Sequence, residues 1–129
     1  MRTFLSLAAA ALLLVSPFTA QAAATVKTVN YDTAYHKTNP MPSAGEYTGR
    51  MTLHFYADGT VNGTYREEYQ GNVHSVSGGM RGSTIWLSFG MKSTHQFNGT
   101  IGKGGIITGS LTNWRGPNVY TFKAVPSAS

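Results

Sequence analysis

Residues 51–65 read MTLHFYADGTVNGTY, in which apolar and polar side chains alternate on both sides of an Asp-Gly pair. Alternation with a period of two is typical of a strand with one buried face, and Asp-Gly is a strong signal for a hairpin turn. A loop of residues 57–59 places the large apolar side chains of both strands on one face, whereas a two-residue loop mixes the faces. The predicted pairs are Met51 with Tyr65, Leu53 with Gly63 and Phe55 with Val61. This loop requires Gly59 in the left-handed conformation, which glycine adopts at little cost.

Residues 97–111 read FNGTIGKGGIITGSL and repeat the pattern, with Gly105 in the place of Gly59. A loop of residues 103–105 predicts a second set of opposed residues. These pairs are Phe97 with Leu111, Gly99 with Gly109 and Ile101 with Ile107. The similarity is explained either by an internal duplication or by two hairpins that meet the same steric requirement. Both explanations predict two antiparallel hairpins.

The first 22 residues have the features of a secretory signal peptide. Arg2 provides a positive charge, residues 4–15 form an apolar run, and Ala20-Gln21-Ala22 offers small residues at a cleavage site. The apolar run is shorter than the roughly 18 residues of a comfortable membrane span, so no membrane span is predicted. We predict a cleaved leader at residues 1–22 and a single exported domain at residues 23–129, located in the periplasm or outside the cell. An uncleaved anchor is the alternative.

After the leader, no stretch of ten or more residues has helical periodicity, and short alternating segments are separated by turn signals. We predict a loop at residues 36–45, which contain two prolines, and a frayed tail at residues 126–129. Consecutive hairpins without a long crossover favour an antiparallel up-and-down meander, and closure of the sheet removes its exposed edges. The predicted fold class is all-β, a small antiparallel barrel of about eight strands. A β-sandwich is the alternative.

The spacing Asp-Gly-x-Val-x-Gly-Thr-Tyr at residues 58–65 resembles one hairpin of the avidin family, whose members are exported eight-stranded barrels that bind biotin. The resemblance covers eight residues, and the tryptophan-bearing opening strand of that family has no counterpart here. The resemblance implies an avidin-like or lipocalin-like barrel by analogy only. Biotin is not carried over, because a shared fold does not establish a shared function.

The composition limits the classes of protein to which the chain can belong. There is no cysteine, so the exported domain has no disulfide and no thiolate to act as nucleophile or metal ligand. Ten Lys and Arg residues against five Asp and Glu residues give a net charge of +5, and the positive residues are scattered along the chain. Nucleic-acid binding typically requires a clustered basic stripe with stacking aromatic residues. No nucleic-acid partner is therefore predicted.

The sequence contains no recognisable catalytic, metal or cofactor motif. It lacks a P-loop, a dinucleotide fingerprint, an HExxH motif and a G-x-S-x-G elbow. Glu67 and Glu68 are adjacent, so on a strand they point to opposite faces and cannot act as one pair of carboxylates. No two of the four histidines have the spacing that would place both on one strand face; they are His36, His54, His74 and His95. We predict a non-enzymatic protein without a cofactor or a metal. A metal site built from histidines on distant strands is the alternative.

Three glycines, Gly63, Gly99 and Gly109, lie on the predicted inward face of the two hairpins. Glycine weakens a strand unless the position needs a sharp bend or a close approach. One explanation is the strong coiling of a small barrel, or room for Trp86 to lie across the backbone. The other is a cavity in which a ligand approaches bare backbone between aromatic walls. Under the second explanation the candidate ligand-binding residues are Gly63, Gly109, Tyr65, Trp86, Phe97 and Tyr120.

Two functional hypotheses follow from the sequence. The first is an exported binding module that holds a small apolar or amphipathic ligand in a barrel cavity. The second is a loop-mediated protein-binding module, such as an exported hydrolase inhibitor. Its candidate partner-binding residues are Trp114 and Arg115, because Trp and Arg are enriched at binding hot spots. The first hypothesis predicts a hollow barrel interior and the second predicts a filled one.

Overall fold

The computed structural model describes residues 24–39, 41–42, 45–90, 95–113 and 118–128. Eight antiparallel strands follow one another around a closed barrel, and the last strand pairs with the first. The strands are β1 (Thr25–Asn39), β2 (Tyr47–Tyr56), β3 (Thr60–Glu67), β4 (Val73–Arg81), β5 (Thr84–Phe89), β6 (His95–Ile101), β7 (Ile107–Asn113) and β8 (Val119–Pro126). The predicted up-and-down barrel is confirmed, and the alternative of a two-sheet sandwich is wrong.

Both predicted hairpin registers are confirmed. In the first hairpin Leu53 lies opposite Gly63, and in the second Gly99 lies opposite Gly109. Gly59 has a φ of 91°, the left-handed conformation that the three-residue loop requires. A short 3-10 turn, Lys103–Gly105, connects the strands of the second hairpin. The alternation of apolar and polar side chains was therefore sufficient to define the register of both hairpins.

Two predicted boundaries are wrong. The predicted loop at residues 36–45 begins too early, because β1 continues to Asn39 and residues 36–39 pair with β8. A long first strand is needed because β1 pairs with β2 along its first part and closes the barrel against β8 along its second. The predicted frayed tail also begins too early, because β8 includes Pro126. Beyond this strand, the backbone N–H of Ser127 donates to the carbonyl oxygen of Asn30 at 2.8 Å.

The barrel interior is filled by side chains that all eight strands contribute. The buried apolar residues are Tyr31, Met51, Leu53, Phe55, Val61, Tyr65, Val76, Ile85, Leu87, Phe89, Phe97, Ile107, Leu111, Phe122 and Ala124. Aromatic rings form a continuous chain across the core, in which Phe122 contacts Phe89 and Phe97 at centroid distances of 5.9 and 5.1 Å. Because each aromatic side chain buries a large apolar area, a few of them are enough for the core of a domain without disulfides.

The inward glycines mark places where neighbouring strands approach each other closely. A Cβ atom on Gly63 would overlap the carbonyl oxygen of Thr52 on the adjacent strand. A Cβ atom on Gly109 would lie 2.6 Å from the Cα of Gly99 and 2.9 Å from the ring of Phe97. The space in front of these glycines is therefore occupied by backbone and by an aromatic ring. The structure supports strong coiling of the barrel, rather than a cavity floor, as the reason for these glycines.

We expect Gly63→Ala to lower the free energy of unfolding by about 2 to 4 kcal/mol, because the added methyl group has no space beside Thr52. Gly45→Ala is the matched control, since no atom lies within 4 Å of a Cβ atom at that position. The control should change the free energy by less than about 0.5 kcal/mol. Urea denaturation of both variants measures the difference. Equal stability of the two variants would contradict the close-approach explanation.

Candidate functional site

The two ends of the barrel differ in the length of the segments that connect the strands. At one end the connections are residues 40–46, 68–72, 90–94 and 114–118. At the opposite end they are residues 57–59, 82–83 and 102–106, and the first two of these are shorter than any connection at the other end. We call these the loop end and the turn end. Binding residues are found disproportionately on loops that a rigid scaffold positions, which makes the loop end the stronger candidate for a site.

Tyrosine and histidine side chains surround the mouth of the barrel at the loop end. Tyr35 lies parallel to Tyr47 at a centroid distance of 5.1 Å and meets Tyr120 edge-on at 5.5 Å. His95 lies 6.4 Å from the ring of Tyr120. On the other side of the mouth, His74 stacks on Tyr65 at 6.4 Å. Alternation places all six residues on the inward face of their strands, so they converge although they are distant in sequence.

A groove of about 240 Å³ opens beside this aromatic cluster, and we call it the loop-end groove. Its lining residues are Tyr35, Tyr47, Thr48, Glu67, Tyr69 and Gln70. The Oε2 atom of Glu67 lies 3.9 Å from Nε2 of His74, so the two form an ion pair only when the imidazole is protonated. Burial raises the pKa of the Tyr35 hydroxyl, and the nearby side chains of Tyr65 and Glu67 raise it further. The groove therefore offers aromatic surface together with neutral hydroxyls and one carboxylate.

Two hydroxyl groups lie buried beneath the mouth without a hydrogen-bond partner, Oγ1 of Thr33 and the hydroxyl of Tyr65. The ring of Tyr65 lies across Gly49, where a Cβ atom would be 2.7 Å from the tyrosine hydroxyl. Burial raises the pKa of Tyr65, and the hydroxyls of Thr33 and Tyr35, which lie near it without meeting hydrogen-bond geometry, lower it by a smaller amount. A buried polar group without a partner is uncommon and costs stability. This pair is therefore a feature that the packing of the core does not explain.

The six residues that the sequence proposed as a ligand site do not line one groove, although Phe97 packs over Gly109. Tyr65 and Phe97 are fully buried in the core, and Tyr120 is half-buried at the loop end. Gly63 and Gly109 face inward but are covered by backbone and side-chain atoms. The proposal that Trp86 lines the interior is wrong, because its side chain is on the outer face and 43% exposed. Its strand buries Ile85, Leu87 and Phe89, and alternation then requires Trp86 to point outward.

Trp114 and Arg115, the candidate partner-binding residues, lie outside the described residues. They follow the last residue of β7 in the sequence and precede the first residue of β8. Their role stays a prediction from the sequence.

The exposed tyrosines Tyr47 and Tyr69 were not predicted from the sequence. The sequence contained a signal for Tyr47, because this residue lies an even number of positions from Met51 and therefore belongs to the inward face of β2.

Within the described part of the chain, no group of three or more His, Cys, Asp or Glu side chains is placed to hold a metal ion. Over the same residues, no helix is long and apolar enough to cross a membrane.

No protein-family model matches the chain, and no curated protein matches it. Proposals about function therefore rest on the chemistry of the barrel surface and of its loop end.

We expect the double substitution Thr33→Val and Tyr65→Phe to leave the free energy of unfolding unchanged or to raise it by about 1 kcal/mol. The reason is that it removes two buried hydroxyls that lack partners and keeps the shape of the core. Thermal and urea denaturation measure the effect. Leu53→Ala is the control for core damage and should cost about 2 to 5 kcal/mol. A loss of 2 kcal/mol or more in the double variant would mean that these hydroxyls are hydrogen-bonded in solution.

We expect the protein to lose stability as the pH rises from 10 to 12. Burial raises the pKa of Tyr31 from 10.0 to about 12, so the folded state holds this proton more tightly than the unfolded state does. The stabilisation is complete below pH 10 and is lost as the pH approaches 12, by up to roughly 3 kcal/mol. Urea denaturation at a series of pH values measures the loss, and Tyr31→Phe should reduce its slope. An identical slope in this variant would contradict the assignment.

Proposed function

We propose that this protein is an exported, non-enzymatic binding module whose loop end recognises a protein partner. The observation that carries the proposal is that four of the seven exposed large apolar side chains among the described residues lie at this end of the barrel. Met41, Tyr47, Tyr69 and Val73 are all exposed there, Tyr69 to 87% and Met41 to 71%. Tyr and Met are enriched in protein interfaces, and clusters of exposed apolar side chains mark interaction sites. Export rests on the leader pattern of residues 1–22, which lie outside the described residues.

The arrangement of the loop-end tyrosines favours binding. The ring of Tyr35 stacks in parallel on the ring of Tyr47, and Tyr120 contacts the Tyr35 ring edge-on. A ring that is already held in place loses little conformational freedom when a partner covers it. Glu67 and Gln70 line the groove beside these rings and supply hydrogen-bonding groups at the edge of the apolar surface. This combination of an aromatic centre and a polar rim is the usual anatomy of a protein interface.

The filled interior also supports a surface site. The described residues pack the barrel with the side chains of fifteen buried apolar residues. The grooves on the surface are open to solvent and lie at the two ends and along the outside of the barrel. A partner that binds through the loops requires no cavity in the core. A small ligand that enters the barrel would have to displace well-packed aromatic rings, at a cost of several kcal/mol.

To test the proposal, the mature protein is immobilised and exposed to the exported fraction of the cells that produce it. We expect a protein to be retained by the wild type and lost from the double variant Tyr47→Ser and Tyr69→Ser. The dissociation constant of the purified partner should rise at least tenfold in this variant. Val26→Ser is the matched control, because Val26 is 66% exposed and lies at the turn end. Equal retention by both variants would contradict loop-end binding.

A small amphipathic ligand in the loop-end groove is the second candidate. The observation that favours it is the pair of buried hydroxyls of Thr33 and Tyr65 beneath the mouth. Native mass spectrometry of the protein from its own exported fraction distinguishes the two candidates. An added mass of a few hundred daltons that is lost on denaturation would support the small ligand. A bound polypeptide would support the protein partner.

A further inference from the structure

Trp86 stands on the outside of the barrel, near the turn end and away from the proposed partner surface. Its indole ring lies across the backbone of Gly79, where a Cβ atom would be 2.8 Å from Cζ2 and 3.1 Å from Cε2 of the tryptophan. The side chain is nevertheless 43% exposed. Because one side of the ring rests on backbone, the indole is held as a platform with its remaining surface toward solvent. Exposing a tryptophan in this way loses the favourable free energy of burying a large apolar ring.

A groove of about 480 Å³ lies beside this platform, between the first hairpin turn and the end of β4, and we call it the turn-end groove. Its polar lining side chains are Asp58, Thr60 and Arg81. The turn is fixed in position, because the backbone N–H of Met80 donates to the carbonyl oxygen of Gly59 at 2.8 Å. Oδ1 of Asp58 accepts the backbone N–H of Thr60 at 2.9 Å, which orients the carboxylate. This hydrogen bond lowers the pKa of Asp58, so the group is ionised at neutral pH.

The surface that continues from the groove is polar but uncharged. Ser77, Ser88 and Asn98 are the outward neighbours of Trp86 on three adjacent strands. The sequences of β5 and β7 contain no charged residue, and the one titratable residue of β6, His95, faces inward. Among the described residues, no second exposed large apolar side chain lies on the outer face of β5, β6 or β7. The surface is therefore too polar for the core of a protein interface, and Arg81 is the one cation among the described residues that line the groove, too few for a polyanion.

A ligand that matches this surface must have an apolar face and many hydroxyl groups, and it must carry no net charge. A pyranose ring has these properties, since its axial C–H groups form an apolar face and its hydroxyls project around the edge. The C–H groups carry partial positive charge, which the electron-rich face of the indole attracts. Carboxylate and guanidinium groups form charge-assisted hydrogen bonds with hydroxyls and can contact two neighbouring hydroxyls at once. We infer that the turn-end groove and Trp86 form a binding subsite for a neutral glycan.

The test uses tetrasaccharides of β-1,4-linked glucose, β-1,4-linked N-acetylglucosamine and α-1,4-linked glucose as probes. Each is titrated into the mature protein, and binding is followed by the backbone amide resonances in NMR spectra. We expect at least one probe to shift the resonances of residues 57–60 and 78–81 and to leave those of the loop end unchanged. If no probe shifts these resonances, or if the shifts occur at the loop end, the inference is wrong.

Variants then assign the binding to the platform. Trp86→Ala should weaken binding of the active probe at least tenfold, and Trp86→Phe should have a smaller effect because a ring remains. Arg81→Ala removes an exposed hydrogen-bonding group without touching the platform and should also weaken binding, by severalfold. Thr121→Ala, on the outside of β8, is the control and should bind as the wild type does. Unchanged affinity in either Trp86→Ala or Arg81→Ala would overturn the site.

A further pair of measurements separates this subsite from the proposed protein interface. The variant with Tyr47→Ser and Tyr69→Ser should bind the tetrasaccharide with wild-type affinity. Trp86→Ala should retain the protein partner. Binding that depends on ionic strength, or that is stronger for a tetrasaccharide of galacturonic acid than for the neutral probes, would show an anion site and would contradict the inference. Binding that is independent of salt supports it.

Discussion

The structure depends on closing eight strands into one ring, which is possible only if the sheet coils sharply. Inward-facing glycines make this coiling possible, because a side chain at Gly63 or Gly109 would collide with the neighbouring strand. Closure also explains the length of β1, which pairs with β2 along one part and with β8 along another. With no cysteine in the chain, the closed sheet and its core take the place that disulfides have in many small exported domains.

Aromatic rings cover the backbone at several of the glycines in the strands. Phe97 lies over Gly109, Tyr65 lies over Gly49, and Trp86 lies over Gly79 on the outside of the barrel. The first two rings fill the interior and leave binding to the surface. The ring of Trp86 faces solvent and does not contribute to the core. The same packing solution therefore stabilises the inside of the barrel and creates a rigid platform on its outside.

The two ends of the barrel carry different chemistry. The loop end combines exposed tyrosines and a methionine with Glu67 and two histidines, which suits a partner with an apolar surface. The turn end combines one tryptophan with a carboxylate, a guanidinium and a surrounding surface of hydroxyl and amide groups, which suits a ligand rich in hydroxyls. The filled core separates the two surfaces, so each can be changed without disturbing the other. A module with this arrangement would hold a protein at one end and a glycan at the other.

The sequence by itself determined the strand alternation, the register of both hairpins and the conformation of Gly59, because each depends on contacts between residues close along the chain. The outward position of Trp86 could also be predicted from the sequence, since Ile85, Leu87 and Phe89 define the buried face of its strand. Only the tertiary structure decided which residues meet at the loop end, because Tyr35, Tyr47 and Tyr120 come from three strands that closure of the ring brings together. It also decided the role of the inward glycines. Whether a glycine faces a cavity or a neighbouring backbone depends on how tightly the sheet coils, and local sequence does not encode that curvature.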